Sequence, residues 1–322
     1  MGSLPPVSIC LTTYNRAPVL PGTIGSLLAQ SFSDFELIIQ DDCSPDETEA
    51  ICRKYQERDH RIKYFRNHEN LRMPGNLNAA IRRATGKYIA NVHDGDSYRP
   101  DLIEKWKRAL DEVPEAAFVF NDYEWISKDG KRTLHRLKEN GRMDGKKVAL
   151  HFFNTFSSCV WGTVMARRNA YEGKGLFNPS YGFISDVDMW LRLAHGNDVA
   201  YVPEPLIILT PRETNHPFAF VNWRHHFWTL GMYVDHLKRY ESIIPMEVAR
   251  FTKEYPSRRR SFFLRDMAIC IKHSRWDRAR EGFAILRDAD DIFLKSLGHC
   301  FGNHSYLPDW YDPSSWSTCS VR

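Results

Sequence analysis

Two acidic pairs carry the chemistry this chain could perform. The first is His93-Asp94-Gly95-Asp96, placed directly after the apolar run Tyr88-Ile89-Ala90-Asn91-Val92. Carboxylates one residue apart at a strand end can both turn toward one divalent cation. A hard cation such as Mg2+ or Mn2+ takes oxygen ligands and completes its shell with water and substrate phosphates. Asp-x-Asp alone is common and usually marks a solvated turn, so its weight comes from what stands upstream. A lone His beside a strand end is more often structural than a ligand, and His93 is assigned no role. The second pair lies in Ser185-Asp186-Val187-Asp188. Val187, Trp190, Leu191 and Ala194 follow at helical spacing, which predicts a helix with Ser185 as its N-cap. Acids in a first turn are favoured by the helix dipole, and that suffices for Asp188.

The elements that must position these groups alternate. Val7 to Thr12 reads as a strand running into Thr13-Tyr14-Asn15-Arg16, and Leu20, Ile24, Leu27 and Leu28 form a helical stripe after it. Phe35 to Gln40 gives a second strand that stops at Asp41-Asp42. Ser44, Pro45 and Glu47 predict the next helix start, with Ser44 as N-cap and Pro45 at the first helical position. Arg61 to Phe65 makes a third strand, and Pro74 to Ala84 a helix that stops near Gly86. Alternation of this kind implies crossover connections, hence an α/β fold with a mostly parallel sheet flanked by helices. Such sheets bind ligands beyond the carboxyl ends of their strands. Thr12, Asp42 and the pair Asp94 and Asp96 all lie there and are expected to share one rim. Asn70 to Asn78 opens the third helix, whose free N–H groups suit an anion, and Arg72 can pair with a phosphate. An ordinary glycine turn at Gly75 accounts for the same residues.

Four segments in order, Val7 to Arg16, Phe35 to Ser44, Gly86 to Asp101 and Ser185 to Leu193, resemble the family 2 glycosyltransferases. Those are inverting enzymes with a Rossmann-like GT-A fold that use nucleotide-sugar donors. The resemblance covers roughly residues 5 to 215 and implies a role for each matching position. Thr12, Tyr14, Asp42, Arg72, Asn76 and Asp94 would hold the nucleotide of a UDP-sugar. Asp96 would bind the Mn2+ or Mg2+, and Asp186 would be the base that deprotonates the acceptor hydroxyl. Family members usually carry Glu before that Asp; here Ser185 replaces it. Tyr201 to Leu209 resembles the closing strand, after which relatives carry an Arg and a His near the diphosphate or metal. Arg212 and His216 are the candidates, with His216 taken as a further metal ligand, although their spacing differs from the usual one.

Composition sets bounds. With 322 residues and 43% hydrophobic content the chain can bury a large core, and a net charge of +4 gives nucleic-acid binding no support. Seven scattered cysteines without a C-x-x-C pair suggest reduced thiols in a cytoplasmic protein rather than a disulfide framework or zinc site. No stretch approaches the ~20 apolar residues of a spanning helix. The division expected is a catalytic domain over 1–218 and a C-terminal helical extension with an irregular tail over 219–322. In the extension, Trp223, Phe227, Leu230 and Val234 form one stripe, Pro256 to Arg260 a basic connector, and Phe262–Ile271 with Arg278–Leu286 a helical hairpin. Its aromatics and arginines fit either a packed core or peripheral contact with a membrane bearing a glycolipid acceptor. The partners implied are a nucleotide-sugar donor and a saccharide or glycolipid acceptor. Two other functions compete: a non-catalytic nucleotide- or carbohydrate-binding protein on a degenerate scaffold, and a nucleotidyltransferase. The latter needs a glycine-rich loop after the first strand, and Thr12 to Arg16 has no glycine.

Overall fold

The computed structural model describes residues 4–282 apart from 138, 140, 156, 157, 161, 211–222 and 273. The chain divides into two compact units, Met1–Glu213 and Thr214–Arg322.

In the first unit, strands β1 (Val7–Thr13), β2 (Phe35–Asp41), β3 (Ile62–Arg66) and β4 (Tyr88–His93) are parallel. Helices α1 (Leu20–Leu28), α2 (Thr48–Arg58) and α3 (Arg72–Arg83) make the crossovers between them. Every residue of β2 is buried, as a strand covered on both faces requires. Leu20, Ile24 and Leu27 of α1 join Ile9, Leu11 and Leu37 of the sheet in one core. The chain continues through β5 (Ser97–Tyr98), α4 (Leu102–Glu112), β6 (Ala116–Ile126), β7 (Arg132–His135), β8 (Arg142–Asp144) and α5 (Gly145–Thr155). It closes with β9 (Val164–Arg167), α6 (Arg168–Lys174), a 3-10 turn over Pro179–Ile184, α7 (Ser185–Ala194) and β10 (Asp198–Leu209).

The strands lie in the order β3-β2-β1-β4-β9-β6-β10-β5, with β7 paired to β6 and β8 to β10. β9 runs antiparallel to both β4 and β6, so β4 and β6 point the same way. The carboxyl ends of β1, β2, β4 and β6 therefore share one rim. The start of β9 reaches that same rim between β4 and β6.

Two expected caps are not formed. α2 begins at Thr48, not at Pro45, and carries no side-chain cap. Ser44 turns back instead, its backbone N–H donating to Asp41 Oδ1 at 3.0 Å. A fully buried carboxylate needs donors more than a solvated helix end does. Ser185 likewise does not cap α7, whose cap position is Ile184.

In the second unit, α8 (Trp223–Tyr240) packs with α9 (Pro245–Lys272). The connector expected at Pro256 to Arg260 is not there, because α9 runs through it as one 28-residue helix. Buried Val248 and Phe251 precede that stretch and buried Met267 and Cys270 follow it. Burial of apolar side chains on both sides of Pro256 outweighs the single hydrogen bond the proline removes. Among the described residues no helix is long and apolar enough to cross a membrane.

Candidate functional site

Asp41 and Asp42 end β2 side by side and do different work. Asp41 is fully buried and engaged by Tyr64 Oη at 2.7 Å and by Arg66 Nε at 3.4 Å, besides Ser44. Those contacts make it a structural post. Asp42 Oδ1 accepts from Asn67 Nδ2 and from the Leu71 backbone N–H, both at 2.8 Å, while Oδ2 accepts from the Arg72 N–H at 2.7 Å. A carboxylate offers about four lone-pair sites, so Oδ2 retains capacity for one more donor such as a base N–H. Arg72 itself adopts a left-handed backbone at φ 56° and its side chain is exposed at the mouth of α3. Asn76 is buried one layer behind: its amide accepts from Asn67 and donates to the Gln40 carbonyl. Asn76 thus stands behind Asn67, which in turn donates to Asp42. Thr12 is partly buried on β1, in register with Gln40 of β2 and His93 of β4, and Tyr14 beyond it is 45% exposed.

The loop from β1 is held from two sides. Asn15 donates its backbone N–H to Ser44 Oγ at 2.9 Å, and Ala17 to Asp46 Oδ2 at 3.0 Å. The Asp94-Gly95-Asp96 turn is pinned by Thr23 of α1, whose hydroxyl accepts from the Gly95 N–H and donates to the Asp96 carbonyl, each at 3.0 Å. Gly95 has φ +82°, a conformation that side-chain-bearing residues avoid. Both acids are buried, Asp94 facing Arg16 Nε at 3.7 Å and Asp96 facing His93 Nδ1 at 4.0 Å. Two carboxylates are a donor set that suits a hard cation, which commonly binds through one or two protein carboxylates plus phosphates. Among the described residues no group of three or more His, Cys, Asp or Glu is arranged to hold a metal ion by itself. The residues thus fit a cation whose remaining ligands come from water and substrate. His216 and Arg212 lie outside the described residues.

Asp186 stands in the first turn of α7, with its Oδ1 accepting the Val187 N–H at 2.7 Å. Burial pushes its carboxyl up to about 6, against the opposing pull of that N–H. A carboxyl group in that range is better matched to taking a proton near neutral pH than an ordinary one. Its neighbour Asp188 is different. Asp188 is buried and pairs with Arg192 one turn on, at 2.8 Å, while Arg192 also donates to the carbonyls of Lys174 and Leu176. That ion pair anchors α7.

Gly162, two residues before β9, brings the halves of the site together. A Cβ there would lie 2.7 Å from His93 Cε1 and 3.5 Å from Asp186 Oδ2. The imidazole and the acid of α7 therefore flank the same glycine. His93 and Arg16 lie inside the motifs without a role assigned to them there, and Gly162 lies outside the motifs. His93 faces Asp96 at 4.0 Å and also borders Gly162, which Asp186 borders too.

Residues 8–173 match the family model described as glycosyl transferase family 2. The glycosyltransferase RP339 of Rickettsia prowazekii is 29% identical over 205 residues, which cover 63% of this chain and 63% of that relative's length. TuaG of Bacillus subtilis, named for teichuronic acid biosynthesis, is 31% identical over 201 residues, covering 61% of this chain and 75% of TuaG. The structure of S. aureus TarS residues 1–349 in complex with UDP-GlcNAc is similar with a TM-score of 0.59 at 16% identity, over 88% of this chain and 92% of that one. At that identity the likeness speaks to fold, and the fold is the GT-A arrangement that the motifs imply.

Proposed function

Because the chain belongs to glycosyl transferase family 2, we propose that it moves a sugar from a UDP-sugar to an acceptor hydroxyl, inverting the anomeric carbon. One placement supports this above all: Asp186 and His93 flank Gly162, so the acid of α7 lies beside the strand end that carries Asp94 and Asp96. Thr12, Tyr14 and Asp42 would receive the nucleoside, and Arg72 the diphosphate. Asp96 with Asp94 would hold Mn2+ or Mg2+, which when bound neutralises charge on the departing diphosphate. The acceptor oxygen forms its bond to the anomeric carbon from the face opposite the diphosphate. The bond from that carbon to the diphosphate oxygen breaks, its electron pair leaves with the diphosphate, and the hydroxyl proton passes to the Asp186 carboxylate. TuaG is named for teichuronic acid biosynthesis and TarS was solved with UDP-GlcNAc. By that likeness the product is a surface polysaccharide or glycoconjugate.

A thermal-shift screen of nucleotide sugars with and without Mn2+ tests the proposal. A ligand at 100 times its dissociation constant stabilises the folded chain by roughly 2.7 kcal/mol. Asp96→Ala should fold and lose the Mn2+-dependent shift. Wild-type activity of that variant in Mn2+ would remove the metal from the scheme. Donor hydrolysis by the wild type separates an enzyme from a non-catalytic binder on the same scaffold.

A further inference from the structure

Helix α9 buries Val248, Phe251, Met267 and Cys270 and shows the solvent a long face of mixed character. Met246, Arg250 and Lys253 recur there at steps of four and three. Leu264, Arg265, Ile269 and Lys272 continue the same spacing further on, and every one of these residues is exposed. That is the periodicity of one side of a helix. At 1.5 Å per residue the 28-residue helix makes this face roughly 40 Å long.

The charge on the face is one-sided. Among the described residues of α9, Glu254 is the only exposed acid. Arg265 also meets Asp266 at 3.3 Å, but an ion pair so open to water contributes little. From Pro245 to Gly282 the chain carries ten Lys and Arg against five Asp and Glu, a larger surplus than the +4 of all 322 residues. The apolar part is equally distinct. Met246 is 79% exposed, Leu264 and Ile269 stand among the cations, and Trp276 is 56% exposed just past the turn at Ser274 that ends α9.

Few partners answer both features. A second copy would set these cations against their own equivalents, with Glu254 as the sole exposed acid of the face to oppose them. A nucleic acid would answer the charge and leave Met246, Leu264 and Ile269 in water. An anionic bilayer surface answers both, because its headgroups attract the cations and its acyl boundary receives the apolar side chains of a helix lying in the interface. Tryptophan is favoured at that boundary. Among the described residues no helix can cross a bilayer, so the contact is along its surface. We propose that the exposed face of α9 docks the protein on an anionic membrane leaflet, with Arg250, Lys253, Arg265 and Lys272 at the headgroups and Leu264 and Ile269 beneath them.

Co-sedimentation of the full chain with two kinds of vesicle tests this, one of phosphatidylcholine alone and one of phosphatidylcholine and phosphatidylglycerol in equal parts. The wild type should pellet with the mixed vesicles only, and raised salt should weaken the binding. Each basic residue near such a surface is worth about a fivefold gain in partition. Arg265→Glu combined with Lys272→Glu should therefore cut binding by about twentyfold or more. Leu264→Ser combined with Ile269→Ser should cut it by about fivefold or more. All four positions are exposed, so helix content by circular dichroism and UDP affinity by calorimetry should hold in both variants. Four results overturn the docking face: no binding to mixed vesicles, equal binding to neutral ones, binding within twofold of wild type in either variant, or a dimer in analytical ultracentrifugation that the same substitutions dissolve. The last would give the face to a second copy. UDP affinity is read without vesicles, so failure to dock and failure of the transferase reading are told apart.

Discussion

Replacing Asp186 by Asn should make the protein more stable and far less active. The carboxyl is pushed from an ordinary value near 3.9 to about 6. Two units at about 1.4 kcal/mol each put the cost of ionising it in the fold at up to about 3 kcal/mol. The side chain is partly exposed, so screening by solvent returns part of that cost. Asparagine keeps the shape and removes the charge, so a net gain of roughly 1–2 kcal/mol is expected at pH 8. For a unit of this size that is a rise of about 2–8 °C in Tm. The sign follows from a folded pKa above the unfolded one. Relative to Asn, the wild type suffers no penalty below about pH 4, where both states are protonated. The penalty grows as pH rises and is complete above about 6. Melting of the two proteins at pH 4, 6 and 8 reads this directly. Turnover should fall by roughly two to four orders of magnitude, with UDP affinity unchanged, and the wild-type rate should decline below about pH 6. A variant less stable than wild type at pH 8, or a stability gap constant from pH 4 to 8, would refute the desolvated carboxylate. Turnover within tenfold of wild type would refute the base.

Asp42→Asn turns one acceptor into a donor facing a backbone N–H of Leu71 or Arg72, which should cost about 1–3 kcal/mol in denaturant unfolding; UDP affinity by calorimetry should fall at least tenfold, and an unchanged value would leave Asp42 only its turn. Asp188→Asn strands the buried Arg192 and should cost about 3–5 kcal/mol; a loss under 1 kcal/mol would show that Arg192 finds enough partners in the carbonyls alone. Gly162→Ala drives a methyl against His93 and should lower turnover about a hundredfold through misplacement while sparing UDP affinity. Equal loss of both would mean the substitution disturbs the whole rim.

The half of the sheet from β1 to β4 was legible because its strands are apolar runs and its helices carry periodic stripes. Thr12, Asp42, Asp94 and Asp96 were placed by that reading alone, as strand ends on one rim. The other half was not. β7 is a fully exposed strand with no alternation to betray it, and β9 is only four residues long and reversed. Gly162 gave no signal, since its importance comes from residues 93 and 186, far away in the chain. The Asp188–Arg192 pair was visible as an i, i+4 match but was outcompeted by the simpler first-turn reading. Ser44 shows the opposite failure: a good local cap signal lost to the buried need of Asp41. Proline misled at 256, where the apolar face of α9 carried the helix past it.

One reversed strand also changes how this scaffold can diversify. Parallel strands deliver only their ends to the rim, and the segments after them are committed to returning as helices. β9 instead arrives at the rim by its beginning, so the stretch between α5 and β9 enters from outside with no crossover to complete. Length and sequence there can vary while the β1–β4 ladder keeps its register. The β6–β7 hairpin, closed by the Gly130 turn, is equally separable. Exchanging these two segments between relatives should leave the strand ends that carry Thr12, Asp42, Asp94 and Asp96 where they were.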